Sequence, residues 1–193
     1  RLPALRALGV EVVEADVTDA AAIAPHFAGV ARVYHAAALV HGFHPWATYR
    51  AVNVGGTQHV ARAAQRAGVR RLVHISTSDV FGIPPGGAVL DESCPYATWG
   101  EPYPDTKIEA ERWLWQFHGD SGLPVSVIHP GWVYGPGDAA FFPALAQAIA
   151  DGLMLFWQRD TRLAWVHVAN LADAIVLVGR EPTAVGHGWA TGA

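Results

Sequence analysis

Arg71-Leu72-Val73-His74-Ile75-Ser76 is a short run holding apolar Leu72, Val73 and Ile75, two of them β-branched. Such a run reads as a strand. Before it, residues 46–67 carry an amphipathic helical pattern, stopped by Gly68. After it, beyond a Gly- and Pro-rich loop at 82–98, a second helical pattern spans 104–118. A strand framed by helices on both sides is the repeating unit of a parallel sheet.

The alternation continues in both directions. Upstream, Leu2, Leu5 and Leu8 fall at helical spacing before Gly9, and 10–15 reads as a buried strand ending at Asp16. Thr18 or Asp19 can cap a short helix to Phe27, and 32–36 is another strand running into Ala37 and Ala38. Residues 39–45 read as loop. Downstream, 124–129 is a strand, 130–138 a loop and 142–150 a helix. Residues 163–168 are extended, Asn170 caps a helix to Gly179, and 187–191 form a last strand. The fold class is therefore α/β with a doubly wound parallel sheet. In such a sheet ligands bind at the carboxyl ends of the strands. Those ends are Asp16, then Ala36, Ala37 and Ala38, then Ser76 to Asp79, then His129 to Gly131. Gly55 and Gly56 lie inside a helical pattern, where each costs about 1 kcal/mol relative to Ala, so close packing is expected there.

Composition narrows the function. The 193 residues, 51% hydrophobic, suffice for one sizeable core, and a net charge of -4 argues against nucleic-acid or anionic-membrane partners. A single cysteine, Cys94, allows no internal disulfide and suggests a reducing, cytoplasmic setting. One of the two longest stretches without Asp, Glu, Lys or Arg, 121–137, holds three prolines and four glycines and is no membrane helix. No signal peptide is evident, and a start without Met inside a domain-like pattern reads as a fragment.

The chemistry concentrates in Tyr103-Pro104-Asp105-Thr106-Lys107. On a helix, residues i and i+4 share a face with Cβ atoms about 5–6 Å apart. An ammonium beside a phenol favours the phenolate and equips the tyrosine for proton transfer. His41 and His44 have a metal-like spacing but no accompanying Cys or carboxylate cluster, so no metal site is expected. His35, His74 and His129 fall on strands and read as core residues. Asp79 at a strand end is either a second acid/base or a cap of the next turn.

With these segments in order, the chain resembles the extended short-chain dehydrogenase/reductases of the NAD-dependent epimerase/dehydratase type. The matching runs are Asp16-Val17, 34–38, 53–57, Ser76-Thr77-Ser78-Asp79-Val80-Phe81-Gly82, Tyr103 with Lys107, 130–138 and 165–168 leading into 171–174. The resemblance implies a Rossmann-like domain at 1–130 and a small substrate-binding portion at 131–193. It implies Tyr103 as acid/base, Lys107 on the nicotinamide ribose, Thr77 as the substrate-orienting hydroxyl and Asn53 as a supporting residue. It places NAD or NADP along Asp16, Val17, Ala36, Ala37, Ala38, Ser76, Tyr103, Lys107, Pro130, Gly131 and Val133. Ser78, Asp79 and Trp132 would meet the substrate. His167 carries a structural role in its motif.

Departures from the family pattern shape the expectation. The chain contains no G-x-x-G-x-x-G turn, which binds the cofactor pyrophosphate at a helix N-terminus. Either the first βα unit stands upstream of Arg1, or the chain is a relative that binds cofactor poorly. Where dehydratases carry Asp-Glu after the catalytic Thr, Ser78 and Asp79 stand here. Trp132 occupies a position where many sugar-nucleotide enzymes have Asn. The implied function is hydride transfer on a secondary alcohol or ketone, as in hydroxysteroid dehydrogenases and dihydroflavonol reductases. A nucleotide-sugar epimerase or dehydratase and a non-catalytic relative are the alternatives. The helices at 46–67 and 104–118 imply a possible homodimer, and Trp113 and Leu114 bury either in its interface or in the chain's own core.

Overall fold

The computed structural model describes residues 2–83, 91–138, 141–153, 164–186 and 188–191. Part of the 82–98 loop thus lies outside the described residues. Four strands, β1 (Arg32–His35), β2 (Arg71–Ile75), β3 (Val125–Pro130) and β6 (Gly188–Thr191), form one parallel sheet in that order. Two short strands, β4 (Trp132–Tyr134) and β5 (Trp165–His167), pair in parallel as a separate ribbon.

Successive strand residues face opposite sides of a sheet, and both sides are covered here. Leu72, Val125 and Val127 point into one core with Val60, Ala61 and Ala64 of α4 (Gly56–Arg66) and Leu114 of α5 (Pro102–Ser121). Val73 and Ile128 point into a second core with Leu171 and Val178 of α7 (Val168–Arg180). This two-sided covering is the doubly wound arrangement expected. α7 and β6, both within 131–193, complete one helical layer and the main sheet, while β4, β5 and α6 (Phe141–Ala150) follow or lie outside that sheet.

The long amphipathic stretch is a continuous helical run with an irregular centre. α3 (Trp46–Tyr49) passes through a π-helical turn (Arg50–Gly55) into α4. The expected close packing is at Gly56, where a Cβ would sit 2.8 Å from Val17 Cγ2. α1 (Leu2–Ala7) and α2 (Ala20–Ile23) form as expected, and Asp19 caps α2 by accepting from Ala21 N and Ala22 N.

Three expectations are corrected. Residues 10–15 join neither sheet, and Val10 and Val13 are exposed. A strand exists only where another strand takes its backbone hydrogen bonds, and no described strand lies beside this segment. The cap of the last helix is His167, whose Nδ1 accepts from Ala169 N at 3.2 Å, and Asn170 is already inside the helix. Residues 130–138 are not all loop, because β4 finds a partner in β5. Of the two places left open for Leu114, the structure takes the chain's own core, where it is fully buried.

Candidate active site

α5 begins at Pro102, ends at Gly122 in the left-handed region (φ 69), and packs on the π-turn, α4 and the short 3-10 turn Ser78–Phe81. Asp105 ties down the chain entering it, accepting from Trp99 N at 2.8 Å and Gly100 N at 3.0 Å. Asn53 anchors its second turn, donating to Thr106 Oγ1 at 3.0 Å while also exchanging two bonds with the Leu39 backbone. Asn53 is therefore a brace between the loop after β1 and the helix that carries Tyr103 and Lys107.

Three consecutive residues at the β2 tip meet three successive turns of α5. The Thr77 hydroxyl faces the Tyr103 phenol, whose pKa it holds down. The Ile75 carbonyl accepts from Lys107 Nζ at 2.8 Å. Ser76 Oγ donates to Glu111 Oε1. The four-residue spacing of Tyr103, Lys107 and Glu111 puts all three on one face.

The electrostatics depart from the expectation for Tyr103. Burial pushes its phenol up to about 12, the nearby Asp79 adds to the rise, and the Thr77 hydroxyl opposes it. Lys107 does not lower it, because its ammonium is turned into the protein. Nζ bonds His74 Nε2 at 3.1 Å as well as the Ile75 carbonyl. Burial lowers Lys107 itself to about 8, against the attraction of Glu111. An ammonium has no lone pair, so Lys107 donates to His74 Nε2 and the His74 proton sits on Nδ1, which has no partner. Burial, with the Lys107 charge beside it, keeps His74 neutral. His35, paired in register with His74, is pushed down to about 3 by burial and Lys107. The three histidines do lie in the core, but His74 and His129 each leave Nδ1 unpartnered. Asp79 is raised by burial, an effect opposed by a hydrogen bond from Thr77 and helped by Glu101. Thr77, not Asp79, caps the 3-10 turn, by accepting from Asp79 N at 3.2 Å.

The remaining expected site residues lie along the carboxyl edge or near it. Ala36 and Ala37 are exposed just past β1, with Ala38 half-buried. Asp16 is exposed and its carboxylate holds the Thr18 backbone and hydroxyl, both at 2.8 Å. Val17 is packed on Gly56. Pro130 is buried at the end of β3, and Gly131 passes so close to Ala164 that a Cβ would run into its carbonyl oxygen. Beyond it, Trp132 stands 5.6 Å from Trp165, which lies 5.5 Å from Phe142, itself 5.5 Å from Tyr134. Trp132, Val133, Tyr134 and Phe142 remain exposed, so β4, β5 and α6 present an aromatic wall.

The donor set suits the nicotinamide-ribose half of a dinucleotide. Tyr103 and Thr77 supply hydroxyls, Lys107 keeps one N–H beyond its two bonds, and small residues border β1. A pyrophosphate cradle of the G-x-x-G-x-x-G type is not among the 193 residues. Sequence reading missed Glu111, Tyr96 and the Asp105 clamp. The signal for Glu111 was present, since it repeats the Tyr103–Lys107 spacing once more.

Comparisons with known proteins agree with this geometry. The sequence profile of the NAD dependent epimerase/dehydratase family matches residues 2–190. The chain is 33% identical over 178 residues to a 3 beta-hydroxysteroid dehydrogenase/Delta 5-->4-isomerase of Mycobacterium tuberculosis, covering 87% of this chain and 48% of that protein. It is 34% identical over 164 residues to a UDP-glucose 4-epimerase of Vibrio cholerae, covering 79% and 48%. A dTDP-glucose 4,6-dehydratase from Streptomyces venezuelae, solved with NAD bound, superimposes with a TM-score of 0.80 at 27% identity, covering 94% of this chain and 57% of that one. The chain thus spans about half the length of these curated relatives.

Proposed function

The chain belongs to the NAD dependent epimerase/dehydratase family, and from that premise we propose that it is the catalytic part of an NAD(P)-dependent oxidoreductase acting on a secondary alcohol or ketone. The observation carrying this reading is that α5, braced by Asn53 and held to the end of β2 by Lys107, sets Tyr103 beside the strand tip that carries Thr77. When bound, the nicotinamide supplies or takes the hydride. Tyr103, Lys107 and the loops after β1 and β3 would hold its ribose and ring, with Asp16 and Val17 toward the adenosine.

The chain's own residues handle the proton. With its phenol pushed up to about 12, Tyr103 is protonated across the neutral range and is set to give a proton to a carbonyl oxygen. Thr77 orients that oxygen by a second hydrogen bond. Asp79 and Ser78 border the substrate, and Asn53 keeps α5 in place. The aromatic wall from Trp132 to Tyr134 favours a flat apolar substrate, since an indole offers one donor and a broad apolar face. The hydroxysteroid dehydrogenase relative supports that preference. The epimerase relative supports a second reading, nucleotide-sugar epimerisation or dehydration. Residues 131–193 form the substrate portion in either case. A homodimer through the outer faces of α3, α4 and α5 completes the proposal. Light scattering after size exclusion tests it, and a monomeric mass rejects it.

The decisive experiment is Tyr103→Phe. Removing the phenolic proton should cut ring-ketone reduction by roughly 10²–10⁴-fold, with the nicotinamide fluorescence titration of NADH or NADPH unchanged. Undiminished turnover removes Tyr103 as the donor. Turnover of UDP- or dTDP-sugars without turnover of ring ketones or alcohols moves the assignment to the second reading.

A further inference from the structure

Beneath the Tyr103–Thr77 pair lies a buried polar layer that the proposed reaction does not use. Glu111 is wholly buried, one helical turn past Lys107. Its carboxylate accepts from Ser76 Oγ, from Tyr96 OH at 2.9 Å and from His129 Nε2 at 2.9 Å. A carboxylate removed from water needs such donors and a nearby cation. Lys107, 2% exposed, is the chain's only lysine. Neither of its hydrogen-bond partners, His74 Nε2 and the Ile75 carbonyl, carries a charge that would balance an ammonium.

We propose that Glu111 is the counter-charge of Lys107, a positioning residue that keeps the lysine cationic and fixed against the β2 tip. The geometry supports this in three ways. Lys107 and Glu111 are i and i+4 neighbours on one helix face. They grip consecutive residues of the strand, Ile75 and Ser76, so the two side chains and the strand tip form one unit. Among the described residues, the groups packed around them offer no alternative anion at that depth. β1 presents His35, β2 His74, β3 His129, the 91–98 loop Tyr96, and α5 Tyr103. Asp79 lies on the 3-10 turn, where its field acts on Tyr103. Tyr96 ties the 91–98 loop to the same carboxylate, so the loop's placement depends on Glu111 as well. That Lys107 then serves a cofactor ribose rests on the oxidoreductase reading; the pairing with Glu111 does not.

A single lysine makes the test direct. Lysine labelled with ¹³C at Cε gives one side-chain resonance, and its titration reports Lys107 alone, whether or not the chain turns over any substrate. In the unmodified chain the midpoint is expected near 8. The Glu111 charge raises Lys107, so Glu111→Gln should lower the midpoint with the circular dichroism spectrum retained. A folded Glu111→Gln chain with an unmoved midpoint overturns the proposal. If that variant does not fold, Glu111→Asp carries the test, since it withdraws the charge by one methylene. A lower midpoint then supports the pairing and an unchanged or higher one overturns it. Loss of ketone reduction in the Tyr103→Phe experiment bears on the function and leaves this titration untouched.

Discussion

Replacing Lys107 by Met should change how stability depends on pH, in a direction set by burial. In the native chain Lys107 titrates near 8 instead of its ordinary 10.5. Each unit of difference is worth about 1.36 kcal/mol, so holding the ammonium inside the fold costs about 3 kcal/mol at neutral pH. The unfolded chain keeps this proton up to pH 10.5, whereas the native chain sheds it near 8. Between those values the unfolded state binds more protons, so stability rises with pH through that window. Met at 107 cannot titrate and shows no such rise. It also strips the Ile75 carbonyl and His74 of a donor, but that loss is the same at every pH in the window. Tyr103 is raised in both chains, so its opposite effect above pH 10 cancels in the comparison. Urea unfolding followed by tryptophan fluorescence at pH 7, 8, 9 and 10.5 gives the two curves. The unmodified chain should gain about 3 kcal/mol on the variant across that range. A constant difference between the two would show that Lys107 is not depressed, and that the inward geometry does not describe the protein in solution.

Other expectations follow from single contacts. Asp79→Asn removes a charge that raises the Tyr103 phenol, so the alkaline limb of ketone reduction should move to lower pH; an unmoved limb would show that Asp79 does not act on Tyr103. Gly131→Ala drives a Cβ into the Ala164 carbonyl, and the urea midpoint should fall by the equivalent of about 1–3 kcal/mol. Leu114→Ala empties a fully buried site between α5 and the sheet and should cost about 2–5 kcal/mol in the same assay; a smaller loss would place Leu114 outside the core.

Much of this molecule can be read along the chain, for local reasons. The β-branched run at 71–76 between two helical patterns reads as a strand, and Gly68 stops a helix because the left-handed region suits glycine. Tyr103 and Lys107 share a helix face by spacing alone. What failed depended on partners. Residues 10–15 look like a strand but need a neighbouring strand to become one. Residues 132–134 look like loop and became β4 because β5, more than thirty residues later, came to lie beside them.

The charge states at the site belong to the same division. Chain spacing established that a phenol, an amine and a carboxylate recur every fourth residue of one helix, and that a strand ending in Ser76-Thr77 precedes them. Spacing says nothing of depth. Packing of α5 against β2 placed the amine on His74 and the Ile75 carbonyl, left the phenol protonated, and drew Ser76, Tyr96 and His129 onto Glu111. Proton affinities follow the distance to water and to other charges, and both are properties of the folded arrangement.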